Sequence, residues 1–525
     1  MKRPLNLSFS TMLTGSSPWR LHLAQNLGLI LTSLFFLPLS SFLLLLSYIS
    51  STFLSNEAST RRRIRRSPTF RPKTILVTGV GMTKGLTLAR TFYLAGHNVV
   101  GADFQTYGIP VSGRFSRALR KFYALPKPNE SDGAAFYINA LLRIVQRENV
   151  DLWVSCSGVA SAVEDGQAAE VLERRSDCKS IQFDVATTQT LHEKHSFIEQ
   201  TRSLGLPVPE THNVTSRAAV HRVLHESPRT KKRYIMKSVG MDDATRGNMT
   251  VLPRRTLSET YNHLSTIPIS DSQPWVLQQY IPGREYCTHA LIIDNTVRAF
   301  VACPSLELLM HYEALHPDLP LSKAMLRFTQ EFATRYPGKL TGHMSFDFLI
   351  EERVSEKGAE MGLVPIECNP RAHTAVVLFQ GREKEMAEVY LRPCESSMNG
   401  HAEVTNGLAE VMNGHTEASR QAPDPVTPIL QPAKYYWIGH DLVTLVLYPL
   451  LLVLLRKMAL QEFEKDCYKF SQHLLLCKDG TYELWDPLPF WWLYHVYWPG
   501  QFLACILQQK KWSRINVSTV KMFGC

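Results

Sequence analysis

No C-x-x-C pair occurs among the ten cysteines of this 525-residue chain. That speaks against a zinc ribbon and a disulfide scaffold, and it fits a reducing compartment. A basic face interleaved with aromatics is missing too. The 57 Lys and Arg exceed the 47 Asp and Glu by only ten, and Arg61, Arg62, Arg63, Arg65, Arg66, Arg71 and Lys73 crowd into one short run. No nucleic-acid partner is expected. The turn Gly79-Val-Gly81-Met-Thr-Lys-Gly85 has G-x-G-x-x-x-G spacing and lacks the strict dinucleotide fingerprint. Formal charge is absent from Leu21 to Asn56, His22 aside. The composition, 45% hydrophobic and 20% charged, is globular, and the length allows about three to four domains.

The charge-free stretch is the first feature with a function of its own. Its apolar part, Leu27–Leu54, would extend roughly 42 Å as a helix, more than a hydrocarbon core of about 30 Å. A signal-peptide core is shorter, about 7–15 residues. Pro38 lies mid-span, where it would kink a helix or permit a re-entrant hairpin. A transmembrane segment is the expectation, with a signal peptide or a buried core helix as alternatives. Lys2, Arg3 and Arg20 precede it and the seven-residue basic run follows, so the remainder is expected in the cytosol. Near the C-terminus, Leu442–Leu455 is uncharged but short for a span. Pro487–Gln509 is uncharged and holds Phe490, Trp491, Trp492, Tyr494, Tyr497 and Trp498, with Lys510, Lys511 and Arg514 after it. It reads either as an interfacial segment or as a buried subdomain.

From Lys73 onward, short apolar strands alternate with helical stretches, the mark of an α/β fold. Thr74–Thr78, His97–Ala102 and Asp151–Ser155 read as strands, and Leu86–Ala95 as a helix. The glycine turn would either hold an anion at a helix N-terminus or only connect strand to helix. Between Cys394 and Pro432 the composition shifts to Asn, Gly, Glu, Ser and Pro, and Asn399-Gly, Asn406-Gly and Asn413-Gly recur every seven residues. Asn-Gly in each repeat breaks helices, so a flexible linker is expected.

Four segments in fixed order carry the chemistry. Lys194 opens an amphipathic helix that ends at Gly-Leu-Pro-Val-Pro209. The strand Tyr234-Ile-Met-Lys237 precedes a polar loop. Next comes Gln278-Gln279-Tyr280-Ile281-Pro-Gly-Arg-Glu285. Last, Ser-Phe-Asp347-Phe pairs with Ile-Glu367-Cys-Asn369-Pro-Arg371. Magnesium on a triphosphate takes hard oxygen ligands. Glu367 and Asn369 are two apart, so a strand would point them to one face. A hairpin with its loop over Glu351–Gly362 would bring Asp347 beside them. Lys194, Lys237 and Arg371 would meet phosphate charge.

This ordered set resembles the ATP-grasp superfamily over roughly Ile75–Leu391. The resemblance implies a Rossmann-like pre-ATP-grasp domain at 74–185 and an ATP-grasp domain at 186–393. Residues 1–73 would form the membrane anchor with its basic flank, 394–433 the linker and 434–525 a C-terminal apolar region. It implies Lys194 and Lys237 on ATP phosphates, Gln278 to Ile281 on adenine, Glu285 on ribose, and Asp347, Glu367 and Asn369 on Mg²⁺, with Mn²⁺ as a substitute. The hinge acid of that family is Gln278 here, and the loop after Lys237 has only Gly240 and Gly247 where many members are glycine-rich. Arg246 in that loop is a phosphate candidate. More narrowly, Met82-Thr-Lys84, Gln278–His289 and Ile366–His373 look like mycosporine-glycine synthases, and ATP-grasp proteins of fumisoquin-type fungal alkaloid clusters are related. The implied activity is a ligase: ATP activates a carboxylate or enol oxygen of a small-molecule acceptor, and an amino acid or amine displaces phosphate to form a C–N bond. Arg371, Lys237 and Arg246 would act catalytically, with His289 and His373 on the substrate side or in structural roles. Two other classes stay open: a nucleotide-binding scaffold with a degenerate site, and an NAD(P)-dependent oxidoreductase using Asp103.

Overall fold

A computed structural model describes residues 13–129, 133–156, 158, 161–230, 232–238, 250–305, 310–355, 358–399 and 424–525. The chain divides into two compact units. One comprises Met1–Pro72, Gly79–Pro126 and Tyr435–Cys525, and the other Lys73–Thr78 and Lys127–Lys434. Residues of the expected 74–185 domain therefore fall in both.

The first unit begins with one helix, Trp19–Leu54, of 36 residues, which carries Pro38 without a break. Among the described residues it is the one helix long and apolar enough to cross a membrane. A short basic helix, Glu57–Arg65, follows. Strands Asn98–Phe104 and Lys121–Leu125 pair in parallel, and helix Thr83–Leu94 buries Leu86, Leu88, Ala89 and Phe92. The C-terminal region joins this unit rather than forming a separate body. Trp437 is fully buried and donates to Thr83 Oγ1 at 3.2 Å. Trp492 donates to the Pro110 carbonyl at 2.9 Å and packs, tilted, against Phe115. At its centre Arg90 and Asp486 form a buried ion pair at 2.9 Å. Every oxygen of that carboxylate is used, since Asp486 also accepts from Ser116 Oγ at 2.6 Å and the Arg117 amide at 2.8 Å. Burying opposite charges is tolerable only with such complete pairing. Of the two readings of Pro487–Gln509, this packing matches the buried subdomain for Tyr497, Trp498 and Phe502.

The second unit holds three groups of paired strands. Thr74–Thr78, Leu152–Val154 and Lys179–Ile181 pair in parallel. A smaller antiparallel sheet runs Thr211–Val214, Trp275–Tyr280, Arg233–Ser238, Val251–Leu252 in spatial order. A larger one runs Thr296–Pro304, Arg284–Ile293, Gly342–Ser355, Gly358–Asn369. Helix Pro320–Arg335 covers the larger sheet, and Phe328 and Phe332 meet Phe346 and Phe348 edge-on at 5.1–5.3 Å. Helix Leu257–Ser265, started by a Thr256–Glu259 capping box, buries Thr260 and Leu264 against the smaller sheet.

One expectation changes here. The polar segment Glu351–Gly362 is not a loop: Glu351 pairs with Gly362, and the ladder continues to Ser355 opposite Gly358. Backbone hydrogen bonds form whatever the side chains are, so strand pairing needs no apolar alternation. The repeats between Asn399 and Glu417 lie, beyond Asn399 itself, outside the described residues.

Candidate functional site

The larger sheet sets its acids by alternation. Phe346 and Phe348 are fully buried on the helix-covered face. Side chains alternate along a strand, so Asp347 between them turns to the other face. Cys368, 1% exposed, does the same for its neighbours Glu367 and Asn369. Register completes the cluster. Asp347 lies directly opposite Glu367, and Ser345 opposite Asn369. Asn369 Nδ2 donates to Asp347 Oδ2 at 3.2 Å. On the next strand Glu285 stands opposite Leu349 and Cys287 opposite Asp347.

Electrostatics follow from this crowding. Burial first, then Glu367 and Glu285, push Asp347 well above the usual carboxylate range, while Arg371 and the Asn369 amide pull it down. Three acids share this volume with Lys194, Lys237 and Arg371, and the like charges around Asp347 are the condition a divalent ion relieves.

Two lysines approach from other elements. Lys194 opens helix Lys194–Ser203, whose Phe197, Ile198 and Thr201 are buried at the helical spacing that places Lys194 on the same face. Its Nζ lies 3.5 Å from Glu367 Oε2. Lys237 is on the strand Arg233–Ser238 of the smaller sheet, two positions from Ile235, which pairs with Gln278. Lys237 Nζ donates to Gln278 Oε1 at 2.6 Å. Burial and then Lys194 lower the Lys237 amine to about 8, against the opposing pull of Glu367, Glu285 and Asp347.

Several other expected residues have their geometry set by the protein itself. Gln278 is 2% exposed and its amide oxygen is given to Lys237. The Gln279 amide N–H donates to the Glu210 carbonyl at 2.7 Å, and its side-chain oxygen accepts from the Glu210 amide at 3.3 Å. Tyr280 pairs with Arg233, and Ile281 is buried. Glu285 is exposed and accepts from Ser305 Oγ at 3.1 Å. His289 is fully buried and its Nδ1 accepts from the His373 amide at 3.3 Å. His373 Nδ1 accepts from the Ala375 amide at 3.3 Å, capping the short helix Thr374–Phe379. The Arg371 amide donates to the Asn369 carbonyl at 2.8 Å. Arg246 lies outside the described residues.

Glu210 is the residue that sequence reasoning overlooked. It accepts from Lys232 Nζ at 2.6 Å, Tyr234 OH at 2.8 Å and His212 Nε2 at 2.8 Å. Burial alone would raise it, but Lys232 foremost, with His212 and Tyr234, brings it down to about 2. Through Gln279 it ties the strand Trp275–Tyr280 to the segment that follows the Lys194 helix. The only signal was an acid directly after Gly-Leu-Pro-Val-Pro209.

The glycine turn in the other unit is filled by protein. The Gly81 amide donates to Asp103 Oδ2 at 2.6 Å, and the Thr83 amide to the Ser518 carbonyl at 2.9 Å. A Cβ on Gly81 would meet Val111 at 2.8 Å. Asp103, raised to about 6 by burial, serves the turn itself. The amides and the acid that a dinucleotide would use are already committed.

No family model matches this chain, and no curated protein does. Solved structures resemble it at low identity. N5-carboxyaminoimidazole synthetase from Staphylococcus aureus, complexed with ADP, shows 16% identity over 58% of this chain and 71% of its own, with a TM-score of 0.40. An L-amino acid ligase from Bacillus licheniformis shows 13% identity, 62% and 74% coverage and a TM-score of 0.41. Biotin carboxylase from Campylobacter jejuni, complexed with β-γ-ATP, shows 16%, 61%, 71% and 0.43. None of these values ties the chain to those activities.

Proposed function

We propose that this chain is an ATP- and Mg²⁺-dependent ligase of the ATP-grasp type. The observation that carries the reading is the placement of Asp347 directly across the ladder from Glu367, with Asn369 bonded to Asp347 and Lys194 beside Glu367. Two carboxylates and an amide oxygen are the hard donor set that magnesium takes. Burial, and then Glu367 and Glu285, raise Asp347, which fits a resident cation. Bound at Asp347, Glu367 and Asn369, such an ion would supply charge neutralisation of the β- and γ-phosphates.

The chain's own residues do the rest. Lys194 and Lys237 meet the phosphate oxygens, and phosphate charge restores the proton that burial loosens on Lys237. The segment Gln278–Ile281 and Glu285 form the nucleoside side of the site. Glu210 holds that segment in place. Arg371, close enough to Asp347 to lower it, presents a fork of N–H donors to the oxygen on which charge develops. In the reaction, the γ-phosphoryl group passes to a carboxylate or enol oxygen of the acceptor and ADP leaves. The nitrogen of an amino acid or amine then attacks the activated carbon. A C–N bond forms, the C–O bond to phosphate breaks, and the ammonium proton goes to solvent.

The finer reading places this chemistry in secondary metabolism of the mycosporine or alkaloid type, after a Rossmann-like region, on a chain held to a membrane by helix Trp19–Leu54 with the catalytic unit in the cytosol. Its support is the motif resemblance and the apolar helix. The discriminating experiment is a thermal shift of the full chain with ATP–Mg²⁺ against NADPH, followed by ADP release assayed with panels of amino acids and acceptors. Stabilisation by ATP–Mg²⁺ and amine-dependent ADP release are expected. Stabilisation by NADPH alone would overturn the proposal, and ATP binding without any turnover would favour the scaffold reading.

A further inference from the structure

The helix Trp19–Leu54 is apolar along most of its length, and its few polar side chains are turned away from water. Its polar side faces the folded unit. Asn26 Oδ1 accepts from Trp512 Nε1 at 2.9 Å, Ser33 Oγ donates to the Tyr494 carbonyl at 2.9 Å, and Ser41 Oγ accepts from Trp491 Nε1 at 3.1 Å. Ser47 bonds Tyr482 OH at 2.7 Å, and Arg117 stacks over Tyr48 at 4.5 Å. The opposite side is exposed and apolar at helical spacing: Leu31, Phe35, Leu39, Phe42, Ile49 and Phe53, with Phe35 at 77% and Phe53 at 83% exposure. The most apolar window of the helix is 0% buried. A stripe of that length on a soluble surface marks an interaction site.

The direction of the contacts decides how the helix meets a bilayer. From Asn26 to Tyr48 the protein-bound stripe runs roughly 33 Å, as long as the hydrocarbon core is thick. A spanning helix would carry its partners into the hydrocarbon along that whole length. Those partners belong to a water-type fold. Trp491 adjoins Trp492, which is bonded to Pro110, and Asp486 is tied to Arg90, Ser116 and Arg117. Of the helix's partners, Tyr482 lies on irregular backbone and Trp512 on the two-stranded hairpin Trp512–Gly524, and neither is accommodated facing lipid. Charge also sits at both ends of the stripe: Arg117 at Tyr48, and Lys511, which donates to the Ser17 carbonyl at 2.8 Å.

We infer that helix Trp19–Leu54 lies in the plane of one leaflet, its Leu31–Phe53 stripe sunk at the headgroup–acyl boundary of an anionic bilayer and its serine face on the protein, so that the chain is monotopic. The next helix supports the choice of lipid, because Arg62, Arg63, Arg65 and Arg66 are exposed beside the end of the stripe, where anionic headgroups would lie. Helix Trp498–Leu507, packed along the N-terminal helix, leaves Leu503 and Leu507 exposed. An apolar crevice between Leu43, Leu46, Tyr482, Phe490 and Trp491 adjoins the stripe.

The inference rests on reading the helix as a membrane element, and the test separates the two. The full chain carries an epitope tag ahead of Met1 and a protease site after Ser67, in sealed vesicles of phosphatidylcholine with phosphatidylserine. A fluorescent amino acid replaces Leu31, Phe42 or Phe53 in turn, all exposed positions that leave the packing intact. We expect the site after Ser67 to be cut, and the tag to be digested, by protease added outside. We also expect all three probes to be quenched to the same degree by bromine placed high on the acyl chains, and at least tenfold stronger partition than to phosphatidylcholine alone. A protected tag, with Phe42 quenched most by bromine at the chain ends, would establish a span and overturn the inference alone. No quenching at any position would end the membrane reading itself, and a detergent-free dimer with shielded probes would assign the stripe to a second copy of the chain.

Discussion

Asp347 and Glu367 face each other across adjacent antiparallel strands, and burial together with that second carboxylate drives Asp347 well above the ordinary carboxylate range. In the metal-free protein this arrangement disfavours the charge on Asp347, and a bound cation would favour it.

Glu367→Gln keeps shape and removes one charge. Turnover is expected to fall at least about a hundredfold, near 2.7 kcal/mol. The melting temperature without metal should stay level or rise, because the repulsion on Asp347 is relieved. Paired kinetic and melting measurements check this. Near-normal turnover in an enzyme that needs Mg²⁺ would move the metal to other acids.

Lys237 gives a pH signature. Its amine is lowered to about 8 from 10.5, mainly by burial. Between those values the unfolded chain holds more protons than the folded one, so stability without nucleotide rises as pH rises through that window. Lys237→Met should abolish that part of the rise. ATP phosphates favour the charged amine, so ATP affinity should weaken as pH climbs through about 8. Melting curves and ATP titrations from pH 7 to 10, with the variant alongside, test both signs.

Deleting residues 1–60 strips Ser41, Ser47 and Asn26 from Trp491, Tyr482 and Trp512. The first unit is expected to aggregate rather than become more soluble. Replacing Leu31, Phe35 and Phe42 with Gln instead touches only exposed positions, so stability should move within about 0.5 kcal/mol each while membrane partition falls. ATP binding should persist in this triple variant, since every proposed site residue lies in the other unit. Sedimentation with vesicles and nucleotide thermal shift report the two outcomes.

Asp486→Asn leaves Arg90 charged and buried. The expected loss is about 3–5 kcal/mol, read as an early unfolding transition by urea denaturation. Arg90→Met combined with Asp486→Leu should recover most of it, because a packed apolar pair carries no desolvation cost. Failure of the double variant to recover would mean that the Ser116 and Arg117 bonds matter more than the charge.

The sequence by itself determined what local chemistry dictates. Two-residue spacing put Glu367 and Asn369 on one strand face, the Phe–Asp–Phe alternation turned Asp347 from the core, and the charge-free run from Leu21 fixed a long helix. Tertiary structure alone decided the rest. That Asp347 meets Glu367 depends on a hairpin register set by backbone pairing through a polar segment, and polarity does not encode register. Glu210 became part of the site only when folding brought Lys232, Tyr234 and His212 around it. The glycine turn, legible as a possible anion cradle, was closed by Asp103 and Ser518, the latter more than four hundred residues away in the chain. The apolar helix shows the limit most directly. Hydropathy measures how much apolar surface a segment has, but which side of it is covered depends on partners near the other end of the chain, Trp491, Tyr494 and Trp512. Those long-range contacts are chosen by packing and hydrogen bonding between surfaces that exist only once the chain has folded.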